Sequence, residues 1–229
     1  MSPVRDERGF TVIEMAVSMV IGVIVILAAY TVLDASTSLG KRTQDRVDAA
    51  QRGRLAMDVI GSELRSQVCL PGAIPPMVAG ATPTDFTFYS NLGDQNSAPQ
   101  KRRLYVQNGA IKEQTWTGTY SGSGTTLTVN WAATPTSKVL VDPVGQVDAA
   151  TPYFRFWGFD ANLPATINQP LDTMPLSAAD AGRVVQVDVN FVARPTGATT
   201  TSRRDSIFQQ SIFFRTADPM DPGKGPKCQ

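Results

Sequence analysis

From Met15 to Leu33 the chain reads MAVSMVIGVIVILAAYTVL, nineteen residues without a charge. Wound as an α-helix at about 1.5 Å per residue, the run reaches roughly 28 Å, close to the thickness of a bilayer's hydrocarbon. Inside lipid each backbone N–H and C=O must find its partner within the segment, so a lone run of this kind has to be helical. A secretory signal peptide is the competing reading, but its apolar region runs for about 7 to 15 residues and stops at a small-residue cleavage site. Here Ala28-Ala29 is followed by Tyr30 and more apolar residues. Arg5 and Arg8 precede the span, whereas Lys41, Arg42, Arg46, Arg52 and Arg54 follow it. Taken alone, the positive-inside rule would put the C-terminal bulk in the cytoplasm.

The residues at the front of the span override that count. Gly9-Phe10-Thr11-Val12-Ile13-Glu14 sets one carboxylate at the mouth of an uncharged helix. A charge at bilayer depth costs about 2.5–3.5 kcal/mol, so Glu14 needs an interfacial position or a partner. A short polar leader ending in Gly, then Phe, then TVIE and a long apolar helix resembles the processing signal of the type IV pilin superfamily. The leader's two arginines are balanced by Asp6 and Glu7, a mild departure from the family's usual basic leader. The resemblance implies that a prepilin peptidase cuts between Gly9 and Phe10 and methylates the new Phe10 amine, with the leader cytoplasmic and the remainder outside. Positions 10 and 14 lie one helical turn apart, so Glu14 could answer that amine in its own chain or in a neighbouring subunit. Glu14 is then the residue expected to set register during assembly.

Residues 34–70 are expected to continue as an amphipathic helix. Proline is absent there, and Ala50, Gly53, Met57, Ile60, Leu64 and Val68 recur at spacings of three and four. Arg46, Arg52, Arg54, Asp58, Glu63 and Arg65 are read as a solvated face. Gly53 and Gly61 each cost about 1 kcal/mol in a helix, which suggests a close approach of another backbone or a bend. Pro71-Gly72 and Pro75-Pro76 are expected to end the helix. Beyond about residue 84 the pattern turns to strands: 85–90, 103–107 joined by Asn108-Gly109 to 110–116, 125–131, 138–142, 153–157, 183–193 and 206–215. Asn-Gly is the favoured chemistry of a two-residue hairpin turn. Val185, Val187, Val189 and Phe191 share one face of their strand, as a half-buried sheet requires.

The expected fold is therefore α+β and pilin-like. Its parts are a leader (1–9), a transmembrane helix (10–33), an amphipathic helix (34–70), a β-rich head (71–217) and a Pro/Gly-rich tail (218–229). RLYVQNGAIKEQTW, PYFRFWGFD, RVVQVDVNFVA and SIFQQSIFFR resemble, more loosely, minor pilins of the PilW type and J-type pseudopilins of type II secretion.

Composition narrows the function. The chain has no histidine, which removes the common Ser-His-Asp and Cys-His nucleophiles and the usual zinc and haem ligands. With 21 basic and 20 acidic side chains, nothing favours a nucleic-acid partner. Tyr153 to Trp157 could stack bases or sugars, but alternating aromatics in a strand are more often core. Asp142, Asp148, Asp160 and Asp172 lack the spacing of a calcium loop, and no metal or cofactor is expected. Lys101-Arg102-Arg103 and Arg203-Arg204 are read as solvated strand edges. If the head lies outside the cytoplasm, as the resemblance implies, Cys69 and Cys228 can form one bridge; two free thiols is the alternative. The reading is a non-enzymatic minor pilin or pseudopilin, anchored in the cytoplasmic membrane and partnered by prepilin peptidase and other pilin subunits. A membrane-tethered adhesin or a DNA- or substrate-binding module is the alternative.

Overall fold

The computed structural model describes residues 11–93, 97–123, 127–160, 162, 164–196, 205–220 and 228. The chain divides after Asp45 into two units, Met1–Asp45 and Arg46–Gln229. One helix, α1 (Val12–Arg65), belongs to both.

In the first unit the helix stands bare. Its apolar side chains are exposed all round, from Val12 at 88% to Leu33 at 64%, and its most apolar stretch is long enough to cross a membrane. Hydroxyls in α1 turn back onto the helix: Ser18 donates to the Glu14 carbonyl at 2.7 Å, Thr31 to Ala28 at 2.8 Å and Thr37 to Asp34 at 3.0 Å. Such back-bonds hide polar groups that lipid could not solvate.

In the second unit α1 buries Ala49, Gly53, Ala56, Met57, Ile60, Gly61, Glu63 and Leu64. The expected stripe holds at Gly53, Met57, Ile60 and Leu64, whereas Ala50 and Val68 are only half-buried. The helix stops at Arg65, short of the expected residue 70 and before Cys69 or any proline. Its end is set by strand pairing. The Asn91 N–H donates to the Ser66 carbonyl at 2.9 Å and the Val68 N–H to the Tyr89 carbonyl at 3.1 Å. The next edge residues are covered as well, with the Tyr89 N–H donating to Pro76 at 2.8 Å and the Val78 N–H to Thr87 at 2.9 Å. A strand edge that would otherwise invite pairing is closed by the chain's own loop.

The strands form two sheets where one was expected. The first contains β1 (Asp85–Ser90), β2 (Gln100–Gln107), β3 (Ala110–Ser121), β4 (Thr128–Trp131) and β5 (Thr136–Val141). β1, β2 and β3 run antiparallel in order, and β4 and β5 take successive stretches of the far edge of β3. Asn108 (φ 53°) and Gly109 (φ 72°) make the β2–β3 turn, both in the left-handed region as that hairpin requires. The second sheet contains β6 (Val144–Gly145), β7 (Phe154–Phe159), β8 (Ile167–Pro170), β9 (Gln186–Ala193) and β10 (Ser206–Phe213). The short helix α2 (Ala178–Ala181) precedes β9. β6, β8 and α2 carry too few residues to show a period and were not expected.

One core joins α1 to both sheets: Ile60 and Leu64 with Phe86, Phe88, Leu104, Phe154, Phe156, Val187, Val189, Phe191 and Ile212. Phe86 of β1 meets Phe154 and Phe156 of β7 edge-on at 4.8 and 5.6 Å, stitching one sheet to the other. Phe154 and Phe156 are thus core residues rather than a stacking platform.

Candidate functional site

The N-terminal site begins at Thr11. Gly9 and Phe10, the expected cleavage and methylation positions, lie outside the described residues. Thr11 and Glu14 form a reciprocal capping box: the Thr11 N–H and hydroxyl both donate to Glu14 Oε2 at 3.0 Å, and the Glu14 N–H donates to Thr11 Oγ1 at 3.3 Å. The sequence Thr-Val-Ile-Glu thus supplies its own helix start. It also holds the one acid of the first turn against the Thr11 N–H, which would otherwise be orphaned.

A second polar site lies in the head and was missed. Glu63, Arg102 and Glu113 are 2%, 7% and 0% exposed. Arg102 Nη1 donates to Glu63 Oε1 at 2.6 Å and also to Glu113 Oε1. Lys138 reaches inward from β5 to Glu113 Oε2 at 2.6 Å and Glu63 Oε1 at 3.3 Å. Thr115 donates to Glu113 at 2.9 Å. Two buried carboxylates thus share a buried guanidinium and the half-exposed Lys138 ammonium, fastening α1 to β2, β3 and β5. Glu63 and Arg102 are not the solvated charges expected of them. Parity in the sequence could have exposed this. Glu63 lies between Ile60 and Leu64 on the apolar stripe, Arg102 shares a strand face with Leu104, and Glu113 shares one with Ile111.

The two acids differ in character. Burial, with the nearby Glu113 carboxylate, pushes Glu63 up to about 7, against the pull of Arg102 and Lys138. Burial would also raise Glu113, but the Lys138 hydrogen bond, the Arg102 charge and the Thr115 hydroxyl outweigh it and hold Glu113 below the usual carboxylate range.

The remaining candidates take structural places. Cys69 and Cys228 are joined by a disulfide, with Cα atoms 5.3 Å apart at a sequence separation of 159. Asp148 and Asp160 each accept hydrogen bonds from their own loops, Asp148 from Ala150 and Thr151, Asp160 from Asn162, Thr166 and Asn168. Asp172 lies 3.7 Å from Arg155. Among the described residues no group of acids or cysteines is arranged to hold a metal. Arg203 and Arg204 lie outside the described residues.

Residues 4–30 match the prokaryotic N-terminal methylation motif. The motif takes in Gly9, Phe10 and the Thr11–Glu14 box, and ends inside the apolar run. Among solved structures, a chain described as "The Crystal Structure of the GspK-GspI-GspJ complex from enterotoxigenic Escherichia coli Type 2 Secretion System" is similar over 70% of this chain and 96% of that one. The identity is 12% and the TM-score 0.36. No curated protein matches the sequence.

Proposed function

We propose that this chain is a minor pilin or pseudopilin, a structural rather than catalytic subunit. It is made as a prepilin, cut after Gly9, methylated on Phe10, and held in the cytoplasmic membrane by α1 with its head outside. From there it assembles with other pilin subunits into a type IV pilus or a secretion pseudopilus. The observation that carries this reading is the methylation motif, set at the front of a bare apolar helix with one acid in its first turn. The Cys69–Cys228 disulfide fits a head in an oxidising compartment.

Cleavage would leave Thr11 as the second residue, so the capping box survives processing. The new Phe10 amine would arise one turn from Glu14, supplying a cation where the helix has only its N-terminal dipole. In lipid, where screening is weak, that pair would reward one register between adjoining helices over others.

Mass spectrometry of the protein purified from its host tests the processing step. The expected mass begins at N-methylated Phe10; an intact Met1 or a start near Tyr30 overturns the reading. A Glu14→Ala variant tests assembly: subunits should vanish from sheared filaments while the head keeps its melting temperature. Normal filament incorporation would count against a role for Glu14.

A further inference from the structure

The strand edges of the head are protected in different ways. The chain beyond α1 covers β1. β5 turns Lys138 inward, β4 and β8 have only four residues each, β8 ends at Pro170, and β6 has two residues. β10, at the edge of the second sheet, has none of these devices. It runs for eight residues, SIFQQSIF, without a charge, a proline or a glycine. β9 pairs with it along its whole length, and among the described residues no strand lies on its other side.

The hydrogen bonds of β9 fix which groups of β10 are left over. Asn190 donates its N–H at 2.8 Å to Tyr153, on the β7 side, so Val187, Val189 and Phe191 turn their backbone groups to β10. By the register, Phe208, Gln210 and Ile212 are the β10 residues tied to β9, and the Phe214 N–H continues the series to Val185 at 2.8 Å. Ile207, Gln209, Ser211 and Phe213 therefore point N–H and C=O away from the sheet. Their side chains share the outer face and are exposed, Ile207 by 61% and Phe213 by 39%. Phe208, on the inner face, packs against Gly53 of α1.

From this geometry we infer that β10 is a strand-addition site, whose free edge takes up an extended, uncharged segment of another polypeptide. An alternating row of N–H and C=O groups is matched in spacing by another extended backbone, and the strand has no charge to hold a phosphate, a sulfate or a lipid headgroup. The side chains add a pattern to the ladder. Residues of the added strand whose backbone faces β10 lie on the same face as Ile207 and Phe213, so apolar side chains there form cross-strand pairs with them. A second copy of this chain fits less well. Two copies joined through β10 about a two-fold axis normal to the sheet would turn their α1 segments opposite ways, whereas anchorage in one membrane, as proposed above, keeps them alike. The addition itself does not depend on processing or on entry into a filament.

The test uses the full chain in detergent micelles and a labelled peptide of four Val-Thr repeats between lysine pairs, with binding read by fluorescence anisotropy against empty micelles. The peptide should bind saturably, its valines on the face of Ile207 and Phe213. N-methylation of the two central valines, whose N–H groups then face β10, should abolish binding, while N-methylation of the two central threonines should spare it. Ser211→Pro removes one outward N–H without touching the ladder to β9, and should cost about tenfold in affinity at an unchanged melting temperature. Ile207→Ser with Phe213→Ser should weaken binding as well. If Ser211→Pro does not fold, the two methylated peptides decide the matter on the parent protein. Absent binding, equal effects of the two methylations, or a folded Ser211→Pro variant that binds as the parent does would each overturn the inference. Dimers of the parent chain that form with rising concentration and vanish in Ser211→Pro would overturn it in favour of a second copy.

Discussion

Glu63 is an acid on the buried side of a helix, and its cost is visible in its titration. A folded-state value near 7 against an ordinary 4.5 means that the folded protein binds this proton more tightly than the unfolded chain does. The stability it contributes is therefore full below about pH 4.5 and is lost as pH rises through about 7, a swing of about 3 kcal/mol. Glu113 works in the other direction: held below its ordinary value, it supports the fold above that value and withdraws support as pH falls below it. The chain has no histidine, the side chain that ordinarily titrates in the neutral range, and both cysteines are bridged. The head should accordingly be most stable near pH 5 and lose stability toward pH 8 in urea unfolding. Glu63→Gln should flatten that range; an unchanged slope would show that the proton resides elsewhere. Glu113→Gln should instead destabilise at neutral pH, because it strips Arg102 and Lys138 of their better-ionised partner.

Among the elements, α1 shows how glycines of equal cost can have opposite roles. A methyl group on Gly53 would lie 2.2 Å from the Phe208 ring, which is itself stacked on Phe191 at 5.3 Å. The close approach expected at Gly53 is thus made by an aromatic side chain of β10 rather than by backbone. At Gly61 the nearest atom would be 3.6 Å away, an ordinary contact. Gly53→Ala should destabilise the head by about 1–2 kcal/mol, overpacking outweighing the gain in helix propensity, whereas Gly61→Ala should stabilise it by up to about 1 kcal/mol. Thermal melts of the two variants should move in opposite directions. The edge strand β5 makes a related point. Its Lys138 points inward to the buried acids, and an inward charge on an edge strand discourages another chain from adding to it.

At the scale of the whole molecule, the disulfide joins positions 159 apart in sequence, from Cys69, just beyond the end of α1, to Cys228. Chain entropy puts the stabilisation from so long a loop at up to about 5 kcal/mol. Cys228→Ser should lower the urea midpoint of the head without changing its β content, and reductant should do to the parent protein what the substitution does. A midpoint that ignores both would mean that the tail is held by other contacts.

Much of this protein was legible one segment at a time. The apolar run, the Thr-Val-Ile-Glu helix start, the Asn-Gly hairpin and the alternation of Val185 to Phe191 are local patterns, and a local pattern is enough where neighbours in sequence decide the outcome. The span, the methylation motif, the order of helix then strands and the inward face of the Val185–Phe191 stretch were determined that way. Tertiary structure alone decided the rest. It ended α1 at Arg65 because β1 offered an edge to the chain beyond, split the strands into two sheets, and placed Arg102 and Lys138 opposite Glu63 and Glu113. Each of those outcomes depends on which distant segments become neighbours. No period in the sequence carries that information, because the free energy that chooses belongs to contacts between segments and not to any one of them.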